Sequence, residues 1–374
     1  MANNAAQLII GDSHTNSDLY YATRFVVGIP VIYLNVDGEK VLLVNNLEYG
    51  RAGDEAKVDS LLSTTPYEEK LRELGRPPSM AALLDLFLQE RGIKRLLVPA
   101  SFPLGYAERL RELGYEFEVS PDPFIPERII KTPEEIASIV EVQGYAEEAM
   151  GIAAELLRSA DIRDGYLWSG DTQITSEIVR IEMQRFLLEK SCEASAIIVA
   201  GGDQGADPHH RGSGPLPAHE TIIIDVFPHS TTNLYWGDMT RTFVRGDPTN
   251  AVKKIYQTVL QAQESALALI RNGTPGNEVH EAVVGHFKEC GYENGELNGK
   301  KTGFIHSTGH GLGLDIHELP RVGRQTEPLL TNQLVTVEPG LYYPGTGSVR
   351  IEDLVVVTTD GCRNLNRFPK ELQL

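Results

Sequence analysis

Cysteine is scarce in this 374-residue chain: Cys192, Cys290 and Cys362 are widely spaced and form no C-x-x-C pair. That count and spacing argue against a disulfide framework and against a zinc–thiolate site, and free thiols are expected. Long hydrophobic runs are also lacking, since no apolar stretch reaches the roughly 18 residues that a membrane span requires. The N-terminal Met1-Ala2-Asn3-Asn4 has no basic region followed by an apolar run, so no signal peptide is read there. Basic charge is in deficit, with 34 Lys and Arg against 52 Asp and Glu and a net charge of −18. This acidity argues against nucleic acid and anionic membrane as partners and suits a site that concentrates cations. A cytoplasmic protein is expected.

The length calls for two domains. Residues 1–127 read as a small α/β domain. Runs 31–36 and 41–44 are β-prone and flank Asp37-Gly38, a hairpin signal. A further strand is expected at 95–99, and helices at 80–89 and 108–113. This part has no cluster of His, Cys and carboxylates, so no chemistry is expected of it alone. The boundary lies near 126–131, and residues 128–374 form the second domain. Thr132-Pro133-Glu134-Glu135 is a capping box with proline at the first helical position. Ile136, Ile139, Val140, Ala146, Ala149, Met150 and Ala153 follow at helical period, so a long amphipathic helix opens this domain. Helices are expected at 175–190, 251–271 and 278–290, and strands at 196–200, 221–226, 239–244, 334–338 and 349–357.

Two of these strand pairs carry carboxylates. Asp225 ends the run Ile222-Ile223-Ile224, and Asp238 begins the returning strand. A charge inside an apolar strand costs several kcal/mol unless it is paired or bound to metal. One such aspartate is ordinarily a structural acceptor; two on adjacent strands point further. Glu338 ends a second apolar strand, and Glu352 sits within 349–357. Strand alternation puts Arg350 and Glu352 on one face and Ile351 and Asp353 on the other. A surface Arg–Glu pair is the competing reading, but apolar residues on both faces argue for burial. Four buried carboxylates cannot share a site without cations. Carboxylates with one imidazole suit manganese, cobalt, iron or zinc. Two such ions about 3.5–4 Å apart make a shared water nucleophilic near neutral pH. His306, His310 and His317 fall within twelve residues, interleaved with Gly309, Gly311 and Gly313, which permit close approach of backbone and substrate. His209 and His210 lie in a polar loop upstream, where a surface pair is an equally good reading.

The pattern Ile224-Asp225, Asp238-Met-Thr-Arg-Thr-Phe243, Gly309-His310-Gly-Leu-Gly313, Val337-Glu338-Pro-Gly-Leu-Tyr342 and Arg350-Ile-Glu352-Asp353 resembles the creatinase/aminopeptidase ("pita-bread") family. It is most similar to the Xaa-Pro aminopeptidase and prolidase branch, and Asp18-Leu-Tyr-Tyr21 and Ile129-Ile-Lys-Thr-Pro-Glu-Glu-Ile136 resemble it too. The resemblance implies an α+β fold: a curved antiparallel sheet with outer helices, preceded by a creatinase-like α/β domain. It implies two divalent ions per chain, with Asp225 and Glu338 each serving mainly one, Asp238 and Glu352 bridging both, and His310 binding the second. Glu338 would also act as general base. His317 and His209 would contact the scissile carbonyl and the developing oxyanion. His306, Tyr342 and Arg350 would orient substrate and ligands. The implied substrate is a small peptide with proline at the second position, and the implied assembly is a homodimer.

Two departures stand out. Asp225 and Asp238 lie 13 positions apart, two more than the family pattern, with the extra residues in the turn 228–233. The His209-to-Asp225 gap is one residue short, which leaves His209 and His210 as rivals. Within the same fold, a creatinase-like metal-free C–N hydrolase, a non-catalytic binding module and a methionine aminopeptidase are the alternatives. The first two sit poorly with a full ligand set, and the third with an N-terminal domain of this kind.

Overall fold

The computed structural model describes residues 5–297 and 299–374, so the Met1–Asn4 segment read for a leader lies outside the described residues. The chain divides into two compact units, 1–128 and 129–374.

The first unit is built on a six-stranded mixed sheet. Its order runs Ser60–Ser63, Glu39–Val44, Val31–Val36, Ala6–Gly11, Arg95–Pro99, Glu116–Ser120. Val31–Val36 and Glu39–Val44 form the expected hairpin, and the turn places Asp37 and Gly38 at φ 50° and 93°. Both central residues of such a turn need positive φ, which is why Asp-Gly stands there. The expected helix at 80–89 is Met80–Glu90, capped by the Ser79 hydroxyl. The one expected at 108–113 starts earlier, as Leu104–Glu112.

The second unit opens with the helix Pro133–Arg158, and both halves of the Thr132/Glu135 capping box are made. One assignment on it is corrected. Val140 is 40% exposed, while Val142 and Gln143 are buried. The buried stripe drifts with the true 3.6-residue period, and a polar residue occupies one of its places. The helices Ser176–Glu189, Asn250–Leu269 and Gly276–Glu289 match expectation.

The strands fall into two main antiparallel sheets. One holds Ile198–Gly201, Ile222–Val226 and Met239–Phe243; the other holds Glu318–Val322, Gly309–Gly311, Leu334–Val337, Asp353–Val357 and Cys362–Asn364. The run 349–357 is not one strand. It breaks at Ile351-Glu352 into Gly347–Arg350, which pairs with Gly340–Tyr343, and Asp353–Val357, which pairs with Leu334–Val337. The expected facing survives the break, since Ile351 enters the apolar core while Arg350 and Glu352 face the cavity. Asp238 directly precedes its strand instead of beginning it.

Gly309 and Gly311 are fixed by close packing: a Cβ on Gly309 would lie 1.8 Å from the Thr336 carbonyl oxygen, and one on Gly311 2.4 Å from that of Leu319. Arg241 joins the sheets. It is fully buried, donates to the Asp353 carboxylate at 2.8 Å and to the Glu352 carbonyl at 2.6 Å, and also reaches the carbonyls of Phe368 and Pro369. Asp353 also pairs with Lys370 at 2.6 Å, so losing Arg241 does not leave that carboxylate without a cation, but it strips the donor from the buried Glu352 carbonyl. Arg241→Met should therefore cost about 1–3 kcal/mol of unfolding free energy, measured by denaturant titration. Asp353→Asn, which retains a hydrogen-bond acceptor, should cost less.

Candidate metal centre

The carboxylates sit at matching places on two strand pairs. Asp225 lies on the strand Ile222–Val226, facing Thr240 across the pairing, and Asp238 comes one residue before Met239–Phe243. Glu338 comes one residue after Leu334–Val337, and Glu352 one residue before Asp353–Val357. Asp238, Glu338 and Glu352 thus sit at strand ends, while Asp225 is held within its sheet between Ile198 and Thr240. His310 projects from Gly309–Gly311, beside Leu334–Val337.

The side chains converge. One ligand atom each from Asp238, His310 and Glu352 lie within 4.8 Å of one another. His310 Nε2 is 3.6 Å from Asp238 Oδ2 and 3.5 Å from Glu338 Oε1. Asp225, Asp238, His310 and Glu352 are buried, and Glu338 is partly open to a cavity of about 480 Å³. All of the residues expected in the site line this cavity except Tyr342, which stands behind it. His209 lines the cavity, whereas the His210 ring accepts the Gly212 N–H at 3.0 Å through Nδ1.

A second layer holds the first, and sequence reasoning found only part of it. Arg350 reaches Asp225 Oδ2 at 2.7 Å, the Tyr342 hydroxyl at 3.0 Å and the Thr240 hydroxyl at 3.2 Å. The Tyr342 hydroxyl in turn meets His306 Nε2 at 2.9 Å, and His306 Nδ1 meets the Ser307 carbonyl at 2.8 Å. Thr240 donates to Glu352 Oε2 at 2.8 Å. Gln143 clasps the Asp238 backbone through both its amide groups, each at 2.8 Å. Gln263 donates to the carbonyls of Val337 and Ile351, the residues just before Glu338 and Glu352. Gln143 and Gln263 escaped notice because a glutamine on an apolar helix face reads as a mismatch. That mismatch, a polar residue in a buried stripe, was the available signal.

The electrostatics of the protein alone are unfavourable. Burial pushes the Glu338 carboxyl up to about 8, with the Asp225 charge adding to the rise and Arg350 opposing it. Burial, then the neighbouring carboxylates, hold Asp238 and Glu352 well above the usual carboxylate range. Burial, and next His317, lower His310 to about 3, so its imidazole is neutral.

These groups fit a cation. The His310 Nδ1–H is used on the Gly311 carbonyl at 3.1 Å, which leaves a bare Nε2 lone pair facing two carboxylate oxygens beyond hydrogen-bond distance. Asp225 Oδ1 is buried and has no hydrogen-bond partner among the described residues. A lone pair facing anions, and an orphaned carboxylate oxygen, are both satisfied by a positive ion between them. Oxygen-rich donors with one imidazole suit a first-row divalent metal.

Without metal, raised carboxylates bind more protons folded than unfolded above their ordinary pKa. By linkage the metal-free protein then loses stability as pH rises from the ordinary carboxylate range, 4.5, toward the Glu338 value of about 8. Its melting temperature should fall across that window, and saturating divalent ion should remove the slope.

The chain resembles known proteins along most of its length. The model of metallopeptidase family M24 matches residues 144–359. An Xaa-Pro dipeptidase of Pyrococcus horikoshii is 31% identical over 345 residues, covering 91% of this chain and 88% of that protein. Among solved structures, the prolidase from Pyrococcus furiosus superposes with a TM-score of 0.79 at 27% identity, covering 97% of this chain and 96% of that one. The X-Pro aminopeptidase from Thermotoga maritima superposes with a TM-score of 0.81 at 25% identity, covering 99% and 97%. The mixed α+β architecture is that of the pita-bread metallopeptidases, and the chain belongs to metallopeptidase family M24.

Proposed function

We propose that this protein is a metal-dependent exopeptidase that cleaves the bond between an N-terminal residue and proline. The observation that carries the reading is the bare His310 Nε2 set 3.5 and 3.6 Å from the oxygens of Glu338 and Asp238, at the edge of a peptide-sized cavity. Asp225, Asp238, His310, Glu338 and Glu352 are the ligands, for two divalent ions, with manganese the first to try. When bound, such ions neutralise the carboxylates, polarise the scissile carbonyl and make water nucleophilic near neutral pH.

The chain's own groups do the rest. Glu338, the most open of the carboxylates, takes a proton at Oε from the attacking water and delivers it to the proline nitrogen. His317 and His209, on the cavity wall, donate hydrogen bonds to the carbonyl oxygen as it gains charge. Arg350, Tyr342 and His306 fix Asp225 and the adjoining wall. Residues 1–127 are the creatinase-like domain, and the working unit is a cytoplasmic homodimer. Among the described residues no helix is long and apolar enough to cross a membrane.

Elemental analysis after mild reconstitution should find about two divalent ions per chain. Ala-Pro should be hydrolysed, and Ala-Pro-Ala beside it separates dipeptidase from aminopeptidase. Creatine and Met-Ala-Ser should be spared. Full activity in thoroughly metal-stripped protein would sink the reading.

A further inference from the structure

His317 reaches the cavity from the stretch 312–317, which has no regular backbone ladder before the strand Glu318–Val322 begins. Its place therefore depends on what pins that stretch. On one side, the Trp236 backbone N–H donates to the Gly313 carbonyl at 3.0 Å, and its indole N–H donates to that of Leu314 at 3.2 Å. On the other, the Lys131 ammonium is ion-paired with the Glu318 carboxylate, next in sequence to His317. The two side chains are 2% and 9% exposed. Gly313 makes room for them: a Cβ there would lie 2.6 Å from Glu318 Oε1 and 2.9 Å from Lys131 Cε. Lys131 is itself anchored. Its N–H donates to the Asn332 carbonyl at 2.9 Å, and the next residue caps the long helix. Neither Lys131 nor Glu318 lines the cavity.

We propose that Lys131 is a positioning residue, whose buried ion pair with Glu318 sets His317 against the reacting carbonyl; this rests on the oxyanion role given to His317 above. Removing the ammonium takes the Lys131 charge away from a carboxylate in a niche closed to water, with the Asp315 N–H at 3.4 Å still facing it. That carboxylate moves toward solvent and takes His317 with it. A displacement of about 1 Å at a group that touches the transition state costs up to about 10²-fold in rate.

The test is a double-mutant cycle on the metal-loaded enzyme, with kcat, KM, metal content and melting temperature measured for wild type, Lys131→Met, His317→Ala and the double variant. Lys131→Met should lower kcat about tenfold or more, with KM changed less than about twofold and metal content unchanged. In the His317→Ala background the same change should lower kcat little further, because the group it positions is gone. If Lys131→Met does not fold, Glu318→Gln runs the same cycle. Wild-type kcat in Lys131→Met overturns the proposal, as does an equal loss in both backgrounds. Wild-type kcat in His317→Ala alone overturns the oxyanion role and this proposal with it, and needs no Lys131 variant to see.

Discussion

Glu352→Gln is expected to abolish turnover, by at least about 10³-fold, in a protein that still folds. Glu352 is 2% exposed, and its Oε2 already accepts from Thr240. A glutamine retains that hydrogen bond and the side-chain volume, so the packing of the two sheets has no reason to change. What disappears is one anion of a four-carboxylate cluster, and with it much of the affinity for a divalent ion. Asp238→Asn should behave alike, because Gln143 grips the Asp238 backbone and not its carboxylate. A second readout separates lost chemistry from lost fold. Without metal, each variant relieves repulsion among buried like charges, so its melting temperature should equal or exceed that of metal-free wild type. Wild-type rates in either variant would mean that the ligand assignment is wrong.

His317→Ala should retain its metal and its fold and lose about 10²–10³-fold in kcat, with a smaller change in KM. The ring stands edge-on to His310, with centroids 4.4 Å apart, and lines the cavity. Burial, then the Arg321 charge, pulls its pKa down, so the neutral imidazole presents an N–H without carrying a charge of its own. A neutral donor gains most from an oxygen that becomes negative only in the transition state, which is why kcat is the quantity affected. The competing role is structural, a ring that merely closes its loop. A His317→Ala protein that melts earlier but turns over normally would settle for that role. Metal content, melting temperature and kinetics on Ala-Pro decide between them.

The carboxylates were legible in the sequence for a physical reason, whereas His310 was set apart from His306 and His317 only by the family resemblance. Asp225 and Glu338 interrupt strongly apolar strands, and a charge that breaks such a pattern has to be compensated by something. Arg350 and Glu352 were legible through strand alternation, although the strand itself breaks between them. His209 and His210 could not be separated, because their difference lies in which ring turns back onto the Gly212 N–H. The second layer was hidden for a different reason. Gln143 lies 95 residues from Asp238, and Thr240 lies 112 from Glu352. No local spacing encodes such pairs. Lys131 and Glu318, 187 residues apart, look like ordinary surface charges until the fold closes over them. Val140 was misplaced because apolar character alone does not say on which side of a drifting stripe a residue falls in a 26-residue helix.

The wide separation of these partners has a consequence for how the protein comes to bind metal. Arg350 meets Asp225 across 125 residues, and Arg241 reaches the carbonyls of Phe368 and Pro369 near the C-terminus. The site therefore draws together segments that emerge far apart during synthesis. Contacts of such long range form late, after most of the loop-closure entropy has been overcome. The emerging first half exposes Asp225 and Asp238 without His310, Glu338 or Glu352, and two carboxylates alone bind a divalent ion weakly. Metal capture is in this way tied to folding: a chain that stops before Glu352 lacks one of the proposed ligands and should bind a divalent ion far more weakly than one that carries all five.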